Sequence, residues 1–155
     1  MNRTIVILAA GKGTRVAKLT NGKNKCLIDL GSRTAAEYIL DHTTESDDII
    51  FVLNEEDTYT EKYIRYKTSN KNLTFVYTNR QGGPGDSLYA AKNILNRPFI
   101  LWYCDTILDE ELPTDLTNNF IICSTQFQEN YKNYMIVPDN EIVIDKSSNK
   151  PTGDN

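Results

Sequence analysis

Residues 4–15 have the sequence TIVILAAGKGTR, and this stretch decides the fold class. Its first part, Thr4–Leu8, is a short run of β-branched and apolar side chains, which is typical of a strand buried on both faces of a parallel sheet. Its second part carries two glycines and two basic residues, which is typical of a turn that approaches a phosphate. A buried strand followed by such a turn predicts an α/β domain whose ligand site lies beyond the carboxyl end of the strand.

Strand-like and helix-like segments alternate along the residues that follow this turn. The predicted strands after the first are Asp48–Leu53, Leu73–Tyr77 and Phe99–Tyr103, and the predicted helices are Arg33–Asp41, Asp57–Lys67 and Asp86–Leu95. Such an alternation favours right-handed crossovers between parallel strands, with helices on both faces of the sheet. We therefore predict a three-layer Rossmann-like α/β domain with a mainly parallel sheet.

The helical pattern stops after the fourth predicted strand. Three strand-like segments follow, Asn119–Ser124, Asn133–Val137 and Glu141–Ile144. The turn sequence Pro138-Asp139-Asn140 joins the last two and predicts a β-hairpin. Residues 146–155 have almost no apolar content, so we expect residues 1–155 to be a single domain and the first part of a longer protein.

Composition excludes several classes of protein. The chain has 155 residues, of which 39% are hydrophobic and 25% charged, values close to the averages for globular proteins. Lys and Arg number 17 against 21 Asp and Glu, so the basic surplus that nucleic-acid binding needs is missing. The longest apolar runs, Ile5–Ala10 and Phe99–Cys104, are about a third of the length of a membrane span. We expect a cytoplasmic protein with neither a nucleic-acid partner nor a membrane span.

The cysteines and the histidine limit the chemistry that is available. The three cysteines are odd in number and far apart, so they form neither a CxxC pair nor a zinc motif. The chain contains a single histidine, His42, at the end of a predicted helix, where we expect a surface residue or a C-cap. One histidine so placed argues against Ser-His and Cys-His nucleophiles. Any catalysis must therefore use carboxylates, lysine, arginine and backbone amides.

The glycine turn after the first strand allows more than one interpretation. A Walker A loop needs a further glycine at the start of the loop, where this chain still has its strand. A dinucleotide-binding GxGxxG loop needs a third glycine at the position of Val16. These two motifs are excluded, and two interpretations stay open: a phosphate-binding loop, or a plain turn at Gly11 and Gly13.

The residues from Leu8 to Arg15, LAAGKGTR, followed by Lys25, Leu27 and Gly31, resemble the signature of the nucleotidyltransferases that activate sugar phosphates. Two further elements agree in order, a glycine-rich turn at residues 81–85 and a strand that ends at Asp105. The sequence departs from the family pattern twice. Asn24 replaces the usual proline, which we expect to loosen a turn, and Cys104 replaces the usual glycine, which we expect to narrow the site or shift the neighbouring carboxylate.

The resemblance implies Mg²⁺-dependent transfer of a nucleoside monophosphate from an NTP to a phosphorylated sugar or a similar metabolite, with release of pyrophosphate, in the synthesis of capsule or other cell-surface polysaccharide. It implies that Arg15 and Lys25 are catalytic, with Lys12 and Arg15 on the β- and γ-phosphates and Lys25 on the α-phosphate. It implies that Asp105 binds Mg²⁺. The implied nucleotide-binding residues are Leu8, Ala9, Ala10, Gly11, Lys12, Gly13, Thr14, Gln81, Gly83 and Gly85.

Several alternatives remain beside this interpretation. Thr78, Asn79 and Gln81 are all suited to reading the base, and the sequence does not choose among them. A nucleotidyltransferase-like module that binds nucleotide without turnover is the main alternative function. A glycosyltransferase would need a DxD motif where residues 105–107 read DTI. The related molybdenum-cofactor guanylylation family would need a glycine in place of Ala10.

Two other groups of side chains receive structural interpretations. The tyrosine stripe Tyr59, Tyr63 and Tyr66 follows helical spacing, and we interpret it as a packing face rather than a stacking platform for bases. The acidic run at residues 109–111 is interpreted as a solvated turn. The NTP, the acceptor and the oligomeric state stay undetermined at this level.

Overall fold

The structure is a computed structural model that describes residues 2–69, 72–80, 82–108 and 110–122, together with the backbone of residues 134–136 and 144–147. The side chains of Arg15 and Ile121 lie outside the described part. The chain divides into two compact units, Met1–Cys123 and Ser124–Asn155. That residues 1–155 form a single domain stays a prediction.

The first unit is built on a five-stranded sheet with the strand order β3-β2-β1-β4-β5, in which every neighbouring pair is parallel. The strands are β1 (Thr4–Ala9), β2 (Asp48–Asn54), β3 (Leu73–Thr78), β4 (Ile100–Tyr103) and β5 (Phe120–Ile121). Strands β2 and β3 follow one another on one side of β1, and the chain then crosses to add β4 and β5 on the other side of β1. This reversal leaves a crevice between the carboxyl ends of β1 and β4.

The helices are short and lie in the crossovers between strands. They are α1 (Ala17–Thr20), α2 (Ala35–Asp41), α3 (Thr60–Lys67) and α4 (Pro84–Ala90), with 3₁₀ turns at Thr14–Val16 and Lys25–Leu27. In the described segments no helix has the length and apolar content needed to cross a membrane. The predicted three-layer α/β architecture is confirmed.

Two apolar clusters cover the two faces of the sheet, because successive residues of a strand point to opposite sides. On one face Ile5 and Ile7 pack with Trp102 and with Ile39 of α2 and Ile64 of α3, all of them fully buried. On the other face the cluster contains Val6, Leu8, Ile50, Val52, Leu101 and Ala91. Each fully buried aliphatic side chain contributes roughly 1.5–3 kcal/mol.

Helix α2 begins two residues later than the pattern predicts because a capping box fixes its start. The hydroxyl of Thr34 accepts the Glu37 N–H at 3.3 Å, and the Glu37 carboxylate accepts the Thr34 N–H at 2.9 Å. At the other end, the His42 N–H donates to the carbonyl of Ile39 and the Thr43 N–H donates to the carbonyl of Leu40, so the predicted C-cap is present. The His42 ring lies edge-on against the ring of Trp102, with centroids 5.6 Å apart.

The prediction that the tyrosine stripe forms the packing face of α3 is wrong. The buried residues of α3 are Thr60 and Ile64, whereas Tyr66 is 85% exposed and Tyr59 is 45% exposed. Of the three tyrosines, only Tyr63 packs against the core, with a partly buried side chain. Spacing identified a helical face correctly but could not show which face the sheet covers.

In the second unit the backbone forms β6 (Tyr134–Ile136) and β7 (Ile144–Ser147), which pair antiparallel. The predicted strand at residues 141–144 overlaps β7 at one residue. The segment between the two strands lies outside the described residues, and the β-hairpin stays a prediction.

Candidate functional site

A cleft of about 170 Å³ lies in the crevice between β1 and β4, where parallel sheets of this order bind ligands. Four segments of the chain meet there: the loop after β1, the 3₁₀ turn at Lys25–Leu27, the turn before α4 and the loop after β4. The lining residues are Leu8, Ala10, Gly11, Lys25, Arg80, Gly83, Pro84, Ser87, Tyr103 and Asp105. The cleft is open and smaller than a typical ligand pocket, so a nucleotide would lie partly outside it.

Gly11 and Gly13, the two glycines of the loop after β1, have different structural roles. Gly13 has φ 58° and begins the 3₁₀ turn Thr14–Val16, and this left-handed backbone favours a glycine there. A side chain on Gly13 would also meet Cβ of Lys25 at 3.5 Å. Gly11 lines the cleft, and a Cβ added to it would meet no atom within 4 Å. Its lack of a side chain therefore keeps space open rather than relieving a clash.

Lys25 and Asp105 form an ion pair across the cleft, through Lys25 Nζ and Asp105 Oδ2. Lys25 stands at the first position of its 3₁₀ turn, and Asp105 follows the end of β4. The two residues are 80 positions apart in the chain. The fold therefore assembles one cation and one carboxylate, both partly exposed, at the mouth of the glycine loop.

The expectation that Asn24 loosens its turn is wrong. The Asn24 side-chain carbonyl accepts the Cys26 N–H at 3.1 Å and so caps the turn that carries Lys25. Its amide donates to the carbonyl of Ala9 at 2.6 Å and to Asp57 Oδ2 at 2.9 Å. The backbone of Asn24 has φ −57°, a value that proline also adopts. Hydrogen bonds here hold a conformation that a proline ring would fix covalently.

The turn before α4 closes the opposite side of the cleft. Gly83 has φ 108° and ψ −163°, a region open essentially to glycine alone. Pro84 occupies the first turn of α4, where its missing N–H costs nothing. Asp86, also in that first turn, accepts the Gly82 N–H at 2.9 Å. The helix thus fixes the glycine turn from its own N-terminal end.

Cys104 does not enter the cleft, so the expectation that it narrows the site is wrong. Its side chain is 1% exposed and packs in the cluster that contains Trp102 and Leu112. Burial raises the pKa of the Cys104 thiol to about 12, and burial also raises the pKa of Cys26 well above its usual value. Both thiols are therefore protonated core residues at neutral pH.

The structure gathers six of the implied site residues around the cleft: Leu8, Ala10, Gly11, Lys25, Gly83 and Asp105. Five other implied residues do not line it: Ala9, Lys12, Gly13, Thr14 and Gly85. Lys12 lies in the loop with its Nζ 4.0 Å from Glu56 Oε2. The side chain of Arg15 and all of Gln81 lie outside the described residues. Of the other base-reading candidates, Thr78 is buried and accepts the Arg80 N–H at 3.1 Å, while Asn79 is exposed.

Sequence analysis missed four residues of the lining, Arg80, Pro84, Ser87 and Tyr103. Alternation along β4 was the available signal for Tyr103, because Trp102 is buried on the opposite face. Arg80 stands in the second glycine turn and lies over the ring of Tyr89, 4.9 Å from its centroid. Its guanidinium also lies 3.6 Å from the carboxylate of Asp86. Both Asp86 and Tyr89 belong to α4, which begins at Pro84, two residues earlier than predicted.

The donor set fits Mg²⁺ that arrives with a triphosphate. Mg²⁺ retains several waters and is commonly held by one or two carboxylates together with substrate phosphates. Asp105 supplies such a carboxylate at the cleft, and its side chain is 53% exposed and therefore reachable. Among the residues that the structure describes, no group of three or more His, Cys, Asp or Glu side chains is placed to hold a metal. A dedicated protein cage is thus not seen in this part of the chain.

The model of the MobA-like NTP transferase domain family matches residues 5–141 of the sequence. The chain belongs to this family. The match begins inside β1 and includes the glycine loop, Lys25 and Asp105. The match confirms the membership of the nucleotidyltransferases that the sequence of the glycine loop indicated.

Curated relatives of this NTP transferase domain include bifunctional GlmU proteins. GlmU of Methanococcus maripaludis is 24% identical over 140 residues, covering 89% of this chain and 34% of that protein. GlmU of Methanococcus aeolicus is 28% identical over 149 residues, covering 94% of this chain and 36% of that protein. The chain therefore spans about a third of the length of these relatives.

Solved structures share the fold of the NTP transferase domain. UTP-bound UGPase from Acinetobacter baumannii has a TM-score of 0.62 and 19% identity, covering 71% of this chain and 48% of that one. HddC from Yersinia pseudotuberculosis, in complex with GMP-PN, has a TM-score of 0.53 and 24% identity, covering 68% and 48%. At such identities the likeness establishes the fold alone.

Proposed function

We propose that this chain transfers a nucleoside monophosphate from an NTP to a phosphorylated sugar or similar metabolite and releases pyrophosphate. The observation that carries the proposal is the Lys25–Asp105 pair at the mouth of the glycine loop. The pair supplies a cation for the reacting phosphate and a carboxylate for a metal ion at one place. Membership of the NTP transferase family and the nucleotide ligands of the two solved relatives support the same reaction.

The loop after β1 is suited to the departing phosphates. Gly11 leaves its side of the cleft open, and the loop ends in a 3₁₀ turn whose first N–H groups have no partners within the turn. Backbone amides without side chains in front of them approach phosphate oxygens closely. Lys12, which is exposed in the same loop, adds a cation for the β- and γ-phosphates.

Lys25 is suited to the α-phosphate, where negative charge is most crowded during transfer. An ammonium group positioned there stabilises the transition state without any proton transfer. Mg²⁺, bound through Asp105 and the triphosphate, would neutralise phosphate charge and orient the oxygens for in-line displacement. The attacking phosphate of the acceptor is already ionised at neutral pH, so the reaction needs no general base. His42 lies away from the cleft, in a separate pocket that Arg3 and Asp47 also line.

The proposal includes a cytoplasmic location, where NTPs are available, and a product used in cell-surface polysaccharide synthesis. A second candidate is a module that binds nucleotide without transferring it. Asp105 is the one carboxylate that lines the cleft among the described residues, and loose metal positioning would slow the chemistry.

Pyrophosphate release tests the reaction, with each of the four NTPs, Mg²⁺ and a panel of sugar phosphates. We expect Asp105→Asn to abolish release, while Asp48→Asn, at the opposite end of the sheet, retains it. Nucleotide binding without release in the wild type would favour the binding module. If no NTP binds, neither function holds.

Lys25→Ala should reduce kcat/KM by about a hundredfold, or about 2.7 kcal/mol of transition-state stabilisation, because the α-phosphate loses its cation. Circular dichroism should show an unchanged fold, since the Lys25 side chain is partly exposed. Lys62→Ala, an exposed lysine on α3, is the matched control and should keep the wild-type rate. Equal rates in the two variants would remove Lys25 from the mechanism.

A further inference from the structure

We propose that Asn24 is a positioning residue that fixes the direction of Lys25 by tying its turn to the end of β1 and to the start of α3. The inference rests on the proposed role of Lys25 in nucleotidyl transfer. It assigns to Asn24 no contact with substrate.

The Asn24 side chain joins three separate elements. Its amide nitrogen donates to the carbonyl of Ala9, the last residue of β1, at 2.6 Å, and to Asp57 Oδ2 at 2.9 Å. Its oxygen accepts the N–H of Cys26 at 3.1 Å. Both partners of the nitrogen are acceptors and the partner of the oxygen is a donor, so the orientation of the amide is determined by its neighbours.

Asp57 is a firm anchor for this amide. Its Oδ1 accepts the Thr60 N–H at 2.9 Å, and its Oδ2 accepts the Thr60 hydroxyl at 2.7 Å. Burial alone would raise the pKa of Asp57, but the hydrogen bonds from Thr60, Asn24 and Tyr59 outweigh it and lower the pKa. Asp57 is therefore an ionised acceptor at neutral pH, fixed to the first turn of α3.

The backbone around Lys25 is held from both sides. Before it, Asn24 is clamped as described, and its own carbonyl accepts the Leu27 N–H at 3.0 Å. After it, Cys26 is fully buried in the core. With both neighbours fixed, the Lys25 side chain extends from a defined point toward the cleft, where it meets Asp105. A loosened turn would displace the ammonium group, and a displacement of about 1 Å can cost roughly a hundredfold in rate.

A double-mutant cycle with Lys25 separates positioning from general stability. We expect Asn24→Ala to lower kcat/KM by about tenfold to a hundredfold in the wild-type background. In the Lys25→Ala background the same substitution should lower kcat/KM less than twofold, because the group that it positions is absent. Asn119→Ala, which removes the side-chain acceptor of the Phe99 N–H at the amino end of β4, is the matched control. It should leave kcat/KM unchanged in both backgrounds.

Backbone order tests the positioning without any turnover. We expect Asn24→Ala to lower the NMR order parameters of Lys25 and Cys26 and to accelerate hydrogen exchange at the Cys26 amide. Asn24→Pro should keep the Lys25 order parameter above that of the alanine variant, because φ is −57° and the ring fixes it. If the alanine variant does not fold, the proline variant carries the comparison with wild type, and we expect a faster Cys26 exchange in it because its acceptor is lost.

Two results would overturn the inference. One is an equal loss of kcat/KM from Asn24→Ala with and without Lys25, which would make Asn24 a general structural residue. The other is an unchanged order parameter at Lys25 and unchanged exchange at Cys26 in the Asn24 variants. A wild type that releases no pyrophosphate contradicts the proposed function, and the order parameters still decide the role of Asn24.

Discussion

At the scale of single residues, two of the ion pairs differ sharply in their exposure to solvent. Lys25 and Asp105 are both partly exposed, and solvent screens such a pair to about 0–1 kcal/mol. Arg3 and Asp47 are 10% and 1% exposed, and two parallel hydrogen bonds of 2.6 and 2.9 Å join them. The first pair therefore contributes little to stability, whereas the second contributes to the fold at the amino ends of β1 and β2.

Arg3→Ala should reduce the free energy of unfolding by about 3–5 kcal/mol, because Asp47 would remain buried without its cation. Denaturation by urea measures this loss. Arg97→Ala, which removes the exposed pair with Asp48 at the same end of the sheet, should cost about 1 kcal/mol or less. Similar losses in the two variants would show that burial does not distinguish these pairs.

At the scale of elements, Glu37 connects α2 to α3. Its carboxylate accepts the Thr34 N–H in the capping box, the Tyr63 hydroxyl at 2.8 Å and the Lys67 ammonium at 2.9 Å. Burial alone would raise the pKa of Glu37, but these bonds outweigh it and lower the pKa to about 2. One ionised carboxylate thus joins the two short helices, beside the apolar packing of Ile39 and Ile64.

The stability of the fold should decline in acid through Glu37. Its pKa is depressed in the folded state, so the contribution is complete above the ordinary value of 4.5, falls as the pH drops from 4.5 toward 2, and is lost below it. The side chain is 20% exposed, so we expect about 2 kcal/mol over this window. Unfolding curves of wild type and Glu37→Gln between pH 5 and about 2 test this, and their difference should shrink with acidity. Parallel curves would contradict it.

At the scale of the whole molecule, the strand order places the site. The connections that carry α2 and α3 cover one face of the sheet, while α4 covers the other. The loop after β1 and the turn before α4 consequently face each other across the carboxyl end of β1. A nucleotide bound there would contact both and stabilise the unit as a whole.

An NTP present at about 100 times its Kd should stabilise the protein by about 2.7 kcal/mol. Gly11→Ala should abolish most of this gain, since the new methyl group would occupy the space where the phosphates approach. The same substitution should leave the stability of the unliganded protein unchanged or slightly higher, because Gly11 has no positive φ and an added Cβ meets no atom within 4 Å. Thermal melting with and without NTP and Mg²⁺ measures both effects. A full NTP shift in this variant would place the phosphates elsewhere.

The sequence by itself determined the features that depend on local chemistry. Short runs of β-branched and apolar residues favour buried strands, and β1 to β4 were predicted to within one residue. The left-handed backbone at Gly13 favours glycine and the glycine at position 11 keeps the cleft open, and the loop motif containing both indicated the family. Lys25 and Asp105 were predicted as site residues through the resemblance to the nucleotidyltransferase signature, and their roles stay a prediction.

Only the tertiary structure decided which of these segments meet. The contact between Lys25 and Asp105 joins residues 80 positions apart, and it exists because β4, which Asp105 follows, pairs with β1 at the centre of the sheet. The same packing turns Cys104 into the core and Tyr103 into the cleft, since the covered face of a strand depends on the layers around it. Asn24 is the clearest example, because its side chain is held by hydrogen bonds to Ala9 and Asp57. These residues are 15 and 33 positions away in the chain, and the sequence does not show that the fold brings them together.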